Sequence, residues 1–528
     1  MKQRPMKDPR LLIVASAFAM ALAGCNVGPD YKRPDAPMTE AFKPTPEWKI
    51  AAPEDDVSKG EWWKIYHDPV LDTLMSEVVI NNQNVALYVA RVRQAQALVS
   101  GANAARYPSI GFTGQGGRQA SGTGTGNLVN PDGTINDGAL TNMVNFQLGV
   151  NWDSDIWGKL RRNVESKNAS LVASVADLEN AKLSMQVQLA QSYFTIRSLD
   201  SLKVLFENTT KQNKRSVDIT RNAFEVGVKA RQDLINAGMQ YKSVEAQLID
   251  VDKDRAAQEA IIATLIGKPA SSFTVAFNPL PGRANINVPV VPPGLPADLL
   301  ERRPDIAAAE RRMAVANAQI GYQMAAFFPS LTLNPSGLPG NNLGYYGTSF
   351  ANLFTAPFLF WGVGPSIALT LLDFGARSAN VEQARGVYDE NVASYRQTVL
   401  TALQEVETQL AALRVLEQEA SVQDEAANLA EKGVVIALNR YQAGIAGYTD
   451  VVVAVNQALT NQQKSILIAQ QRLNASVLLV KALGGGWNTP GKPATSTSEN
   501  AKNSALSERQ SQQNSQAKQA DQRPGREG

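Results

Sequence analysis

Residues 84–112 read NVALYVARVRQAQALVSGANAARYPSIGF, and residues 305–333 read DIAAAERRMAVANAQIGYQMAAFFPSLTL. The two lie on one another without a gap: Ala86 falls on Ala307, Arg91 on Arg312, Ala95 on Ala316, Ala104 on Ala325, Pro108 on Pro329 and Ser109 on Ser330. From Gly158 a second constant offset takes over. It sets Val164-Glu165 on Val381-Glu382, Arg197 on Arg414, Asn222 on Asn439, Gly227 on Gly444, Asp233 on Asp450 and Gly267 on Gly484. A solenoid repeats every few tens of residues. Here one large unit is written twice, and the fold has to be read as a duplication, over 71–267 and 301–487.

Each unit has the same order of elements. A first helix is expected over 82–106 or 302–327, with Pro304 suited to a first turn because its missing N–H would be unpaired there. Each stops before Pro108 or Pro329, since the residue ahead of a proline avoids the helical region. Two strands follow, over 108–118 and 142–152 in the first copy and over 329–336 and 361–372 in the second. Val144, Phe146, Leu148, Val150 and Trp152 alternate with Asn145, Gln147, Gly149 and Asn151. Val363, Ile367, Leu369 and Leu371 alternate with Gly364, Ser366, Ala368 and Thr370. About ten residues with one apolar face is the pattern of an outer-membrane barrel strand, although a soluble sandwich strand alternates likewise. The connections 119–141 and 337–360 read as long Gly- and Asn-rich loops.

After the strands each copy turns helical. Leu160, Val164, Leu171, Val175, Leu178, Met185, Leu189, Ile196, Leu199 and Leu202 recur at threes, fours and sevens, a coiled-coil-like stripe. The spacing predicts one helix over 159–225, a turn at Gly227, and a returning helix over 228–266; the second copy turns at Gly444 and returns over 447–483. At 1.5 Å per residue these measure about 100 Å and about 58 Å, and helix 82–106 about 37 Å. The two short helices together nearly match the long one. Such a hairpin has no globular core of its own and needs lateral neighbours.

The N-terminus carries the basic segment MKQRPMKDPR, a short apolar run and LAGC, ending in Cys25, the only cysteine. This is the form of a secretory signal over 1–24, and its apolar run is too short for a permanent span. The tetrapeptide resembles the bacterial lipobox, which implies S-diacylglycerol and N-palmitoyl groups on Cys25, with Asn26 favouring the outer membrane. Loss of Lys2, Arg4, Lys7, Arg10 and Asp8 turns the formal charge from +2 to −1, so no nucleic-acid partner is indicated. No long uncharged apolar segment follows the signal, so a membrane crossing would have to use strands. Pro-rich residues 268–300 read as a linker, and the polar tail 488–528 as a disordered segment.

CNVGPDYKRPDAP after the lipobox, EWWKIYHDPVLDTLMSEVVINNQNV, LLERRPDIAAAERRMAVANAQIGY and RYQAGIAGYTDVVVAVNQAL resemble the outer-membrane factors, the TolC-like family, in its lipoprotein branch of the OprM and NodT type. The resemblance runs from about Cys25 to Trp487. It implies a mainly α fold with membrane β: a homotrimer whose protomers share one β-barrel joined to a periplasmic α-helical barrel, residues 25–70 packing near the equator. It implies the outer-membrane channel of a tripartite efflux pump that exports drugs or other small molecules. The partners would be a periplasmic adaptor (membrane fusion protein), an inner-membrane transporter of the RND type, and outer-membrane lipids. A type I protein-secretion channel keeps the same fold. A coiled-coil spacer lipoprotein would have no use for strands 144–152 and 363–371.

The resemblance also supplies sites. Gly227, Val228, Gly444 and Ile445 are candidates for the periplasmic tips that dock the adaptor. Phe224 and Tyr441 each stand three residues before their glycine. Asp233, Asp450, Val453 and Tyr441 are gate candidates. Val453 stands where some relatives carry a further acid, so an apolar plug competes with an acidic ring. No catalytic set, metal cluster or cofactor motif emerges. The one histidine, His67, sits in a loop, and the spaced glycines of SGTGTGN open no helix.

Overall fold

The computed structural model describes residues 26–36, 61–120, 140–281, 302–333, 342–347, 359–362 and 364–485. The signal, Cys25, the tip of the first strand connection, linker residues 282–300 and the tail lie outside them. The chain divides into two compact units, one within 1–36, 89–175 and 308–397, the other within 37–88, 176–307 and 398–528. Each takes pieces from both copies of the repeat, because helices of 67 residues outrun what one compact unit can bury. Among the described residues no helix is long and apolar enough to cross a membrane.

The helices are α1 (Pro69–Asn81), α2 (Gln83–Ala104), α3 (Lys159–Glu225), α4 (Arg231–Leu265), α5 (Pro304–Met324), α6 (Ala376–Gln442) and α7 (Tyr448–Ala482). The first predicted helix gains a separate partner, α1, capped by Asp68, whose carboxylate accepts from the N–H groups of Val70 and Leu71. Beyond α5 a single tight turn, Ala325–Phe327, replaces the predicted last helical turn.

One unit holds the sheet: β1 (Ser109–Ala120), β2 (Leu140–Asp153), β3 (Ser330–Leu333), β4 (Asn342–Gly347), β5 (Leu359–Trp361) and β6 (Ser366–Ala368). β1 pairs with β2 antiparallel, Ser109 opposite Asn151 through Ala120 opposite Leu140. The other edge of β2 takes both β4 and β3, and these pair in turn with β5 and β6. Two corrections follow. β4 and most of β5 fall inside 337–360, which the Gly and Asn content marked as loop; the ladder offered by β2 outweighs the weak strand propensity of NLGYYG. The strand predicted over 361–372 is broken between Trp361 and Ser366, where Pro365 has no N–H to give. Residues 369–372 are not in strand and find no partner strand among the described residues.

The sheet has two chemically distinct faces. Cross-strand pairs Ile110–Val150, Phe112–Leu148, Phe146–Tyr345, Leu148–Leu343, Leu343–Trp361 and Leu331–Ile367 put apolar side chains on one face. Much of that face is bare: Ile110, Phe112, Trp361 and Ile367 are 70%, 68%, 75% and 72% exposed, although Val144 on it is buried. A soluble fold buries such a surface, so the sandwich reading is excluded for this sheet.

In the other unit Trp62, Trp63, Leu71, Met75 and Val78 pack on Tyr193, Phe194, Ile262 and Val477. Asp68 also accepts from Tyr193 (2.8 Å) and Arg197 (2.9 Å), and burial first, then this bond, pushes the Tyr193 phenol above its ordinary range. Gly267 ends α4 at φ +70°, where a Cβ would stand 2.5 Å from the Asn81 carbonyl oxygen. Gly484 ends α7 at φ +92°, where a Cβ would stand 2.4 Å from that of Arg302. The next residue completes the lock in each copy: Asn82 donates to the Leu265 carbonyl (2.7 Å) and Arg303 to that of Ala482 (2.9 Å).

Gly267→Ala and Gly484→Ala should therefore cost more than backbone strain alone, upward of about 1–3 kcal/mol each. Gly227→Ala has the same left-handed backbone but meets nothing within 4 Å, so it should cost only about 1–2 kcal/mol. Thermal loss of the helical circular-dichroism signal orders them; equal losses at Gly227 and Gly267 would show that the carbonyl contact is not limiting.

Candidate functional site

The two helix reversals have one backbone design. At the first, the Gly227 N–H donates to the Phe224 carbonyl (2.9 Å) and the Val228 N–H to that of Ala223 (2.8 Å). At the second, Gly444 donates to Tyr441 (3.1 Å) and Ile445 to Arg440 (2.9 Å). These paired bonds are the Schellman arrangement, with glycine in the left-handed position; φ is +77° at Gly227 and +75° at Gly444. The residues after the glycines point outward: Val228 and Ile445 are both 71% exposed, as is Val226 beside them at 74%. Apolar side chains presented so openly add little burial to the chain's own fold.

Beneath the turns a small core joins Val217, Ala237, Tyr441, Tyr448 and Val451. The Tyr441 and Tyr448 rings meet edge to face at 5.2 Å. The Lys229 ammonium lies 3.9 Å from the Tyr441 ring centroid and donates to its carbonyl (3.4 Å). The Tyr448 hydroxyl meets that of Ser216 at 2.9 Å. Burial raises both phenol pKa values, and the charge of Asp233 adds to this.

The predicted gate residues separate in this frame. Asp233 and Asp450 both stand in the first turn of a returning helix, α4 and α7, whose preceding residues Ala230 and Gly447 offer no capping side chain. A carboxylate there is favoured by the helix dipole. Asp450 is exposed, whereas Asp233 is half-buried. Val453 is 63% exposed. Tyr441 is buried to 7%, so its side chain supports the turn from within and presents no surface to a passage; here the gate assignment gives way to packing. Tyr448 and Lys229 were not legible as tip residues. The one signal is a break in the repeat, since Tyr448 falls where the first copy has Arg231. His67 is an exposed turn residue at φ 50°.

The segment after Cys25 is held tightly. The Val27 N–H donates to the Trp157 carbonyl (3.1 Å). The Arg162 guanidinium, 2% exposed, donates to the carbonyls of Val27 and Gly28 (3.1 Å each) and pairs with Asp30 and Glu165 at 2.8 Å. Burial disfavours its charge, but the two carboxylates outweigh this and its pKa is raised. Gly28, at φ +95°, runs against Gly321, where any Cβ would stand 2.4 Å from Cα. Tyr31 donates to Glu310 (3.1 Å), Asn317 to the Pro29 carbonyl (2.9 Å) and Arg33 to Tyr395 (2.9 Å). The strap 26–33 is thus fixed on α3, α5 and α6. Among the described residues no cluster of three metal-ligating side chains occurs.

The chain matches the family described as outer membrane efflux protein over residues 74–268 and 295–485. It is 29% identical over 486 residues to a probable efflux pump outer membrane protein, TtgC, of Pseudomonas putida, covering 90% of this chain and 96% of that one. It is 29% identical over 480 residues to nodulation protein T of Rhizobium leguminosarum bv. trifolii, covering 90% and 97%. Among solved structures it is similar to the outer-membrane channel OprN, with a TM-score of 0.75, 27% identity, and coverage of 88% of this chain and 100% of that one.

The strap yields a direct expectation. Arg162→Met keeps the stem but removes every donor to residues 27–30. Limited proteolysis should then cut within 26–36 several-fold faster while the helical signal is retained; an unchanged cleavage rate would mean that Gly28, Tyr31 and Arg33 hold the strap without it.

Proposed function

The chain belongs to the outer membrane efflux protein family, and from that premise we propose that it is the outer-membrane channel of a tripartite efflux pump, exporting drugs or other small molecules. The observation that carries this reading is the two-faced sheet. Its apolar face is bare over Ile110, Phe112, Trp361 and Ile367, and a lipid bilayer is the surrounding that makes such a face favourable. The opposite face bears Asn145, Gln147 and Asn151, which suit a wet interior.

The described strands are too few to enclose a passage, since even a small barrel uses about eight. Three copies give one shared barrel, continued by a periplasmic barrel of the long helices. Cys25, two residues from the bond between Val27 and Trp157, carries the lipid and adds an anchor beside the sheet. The exposed turn residues Val228 and Ile445 dock a periplasmic adaptor, which joins the channel to an inner-membrane transporter of the RND type. The chain has no enzymatic role in this scheme.

At the periplasmic end Asp233 and Asp450 form two rings under threefold symmetry. A ring of carboxylates in a narrow bore concentrates negative potential and favours cations. Asp450 is the more exposed, so it dominates, with Val453 one turn on as an apolar collar.

Four measurements test the scheme. A strain lacking the gene and carrying its adaptor and transporter should regain drug efflux with the wild-type chain; restored secretion of a protein instead of efflux would turn the reading to a secretion channel. Val228→Trp with Ile445→Trp should abolish efflux while the oligomer persists. In single-channel recordings Asp450→Asn should reduce cation selectivity more than Asp233→Asn, and unchanged selectivity in both would remove the aspartates from the constriction. Intact mass of the mature protein reads the acyl groups on Cys25; an unmodified N-terminus would end that assignment.

A further inference from the structure

A cavity of about 320 Å³ lies where the sheet gives way to α3 and α5, bordered by Asp153, Trp157, Lys159, Phe328, Ser330 and Ala368 among others. That is the lower end of the range for small-molecule sites. The strand register puts it on the polar face of the sheet. Asp153 stands opposite Thr332, Thr332 opposite Ser366, and Ser330 opposite Ala368. The pairs Trp152–Leu333 and Leu331–Ile367 alternate with these and carry the apolar side chains. Leu331 and Leu369 also border the cavity, as chain neighbours of Ser330 and Ala368. In the channel proposed above the polar face lines the passage, so a solute moving through it meets this cavity.

Two charges border the cavity without an ion pair. The other cations at this end of α3 are matched, Arg161 by Asp155 (3.4 Å) and Arg162 by Asp30 and Glu165 (2.8 Å each). Among the described residues Lys159 has no carboxylate, only the Tyr322 ring, whose centroid is 5.2 Å from its ammonium. Asp153 has no cation; its Oδ1 accepts from the Asp155 N–H (3.0 Å). Both side chains are half-buried, and they do not pair with each other. The dipole of α3 disfavours a cation in its first turn, and partial burial adds to the cost of both charges.

A ring pair supplies the third element. Trp157 stacks on Phe328 with centroids 4.8 Å apart, and its indole N–H donates to the Pro329 carbonyl (2.7 Å). The pair is fixed by these contacts, while Phe328 stays 39% exposed, which leaves room for a further ring to stack. The second copy lacks the set. The offset puts Thr370, Phe374 and Ala376 where Asp153, Trp157 and Lys159 stand, so each chain has both charges once.

We propose that the cavity is a cargo site on the wall of the passage and takes small aromatic zwitterions, with their ammonium on Asp153, their carboxylate on Lys159 and their ring against Phe328. A molecule that satisfies both charges must itself carry both signs. A plain cation leaves Lys159 unpaired, and a plain anion leaves Asp153 so. The proposal rests on the reading of the chain as an efflux channel and names a substrate class for it.

Three fluorescent probes with one dansyl ring system separate the charges. ε-Dansyl-lysine carries an ammonium and a carboxylate, dansylcadaverine the ammonium alone, and dansylglycine the carboxylate alone. Titrated into the full-length protein in detergent and read by dansyl emission, ε-dansyl-lysine should bind about tenfold more tightly than either of the others. Lys159→Ala should weaken ε-dansyl-lysine and dansylglycine and leave dansylcadaverine unchanged. Asp153→Thr should weaken ε-dansyl-lysine and dansylcadaverine and leave dansylglycine unchanged. Both variants install the residue that the second copy already carries. Phe328→Leu removes the ring without touching either charge and should weaken all three probes. Equal affinities for the probes, or charge variants that bind as the wild type does, would overturn the site and leave the channel standing. In planar bilayers ε-dansyl-lysine should interrupt the single-channel current of the wild type and not that of Lys159→Ala. Binding that leaves the current untouched would put the cavity off the passage and end its role with cargo. Wild-type protein that opens no conductance would overturn the channel reading and the cargo role with it.

Discussion

The approach of a left-handed glycine to a backbone carbonyl sets the helical architecture. Gly267 ends α4 against Asn81, and Gly484 ends α7 against Arg302. Each contact fixes where a returning helix stops and where the neighbouring short helix starts, and any side chain at the glycine would force the two apart. In both copies the residue after the contacted carbonyl reaches the other helix end, through Asn82 or Arg303. The solutions differ in chemistry. Asn82 is neutral and also caps α2, accepting from the N–H groups of Asn84 and Val85. Arg303 is a charge that burial disfavours, held by Asp305 at 2.6 Å and Glu405 at 2.7 Å, and the carboxylates prevail because its pKa is raised. One geometric need has been met once by an amide and once by an ion pair, so the backbone contact is the invariant part.

The sheet follows a different constraint. Its strands gather apolar side chains on one face and mostly polar ones on the other, yet much of the apolar face has no protein over it. In water that surface would be unfavourable by roughly 25 cal/mol for each Å² left exposed. In hydrocarbon the cost disappears, and it is the polar edges of the strands that must be satisfied. Bare side chains and open strand edges in the single chain are thus two halves of one requirement. The side chains need lipid, and the edges need another strand.

Much of this was legible in the sequence. The offsets between copies placed the long helices, both glycine turns and the β1–β2 hairpin, because unbroken apolar periodicity and glycine in a helix-terminating context are local signals. The misses were non-local. NLGYYG reads as loop by composition and becomes β4 only because β2 presents a ladder beside it. Pro365 interrupts the second copy's strand where alternation alone continues through it. The strap 26–33 depends on Arg162, which in sequence is one more basic residue near a helix start; its role comes from burial and from carbonyls well over a hundred residues away. Tyr441 stood among the gate candidates, but ring packing with Tyr448 draws it inside.

Where the repeat is broken tells most about use. Backbone geometry at the two reversals is shared, down to the pair of carbonyls that accept from the N–H groups of each glycine and its successor. The side chains are not shared. Arg231 and Phe224 in the first copy stand where Tyr448 and Tyr441 stand in the second, and Phe224 is 37% exposed while Tyr441 is 7%. Likewise Arg162, which holds the strap, has Ala379 as its counterpart. Folding needs the glycines, the helix-end locks and the sheet register, and these are kept in both copies. The turn surfaces and the strap site are free to diverge because neither long hairpin depends on them. A partner that reads the turns therefore meets two different surfaces on each chain, carried on one backbone form. The segment that follows Cys25 is held at one copy only, by Arg162 of the first.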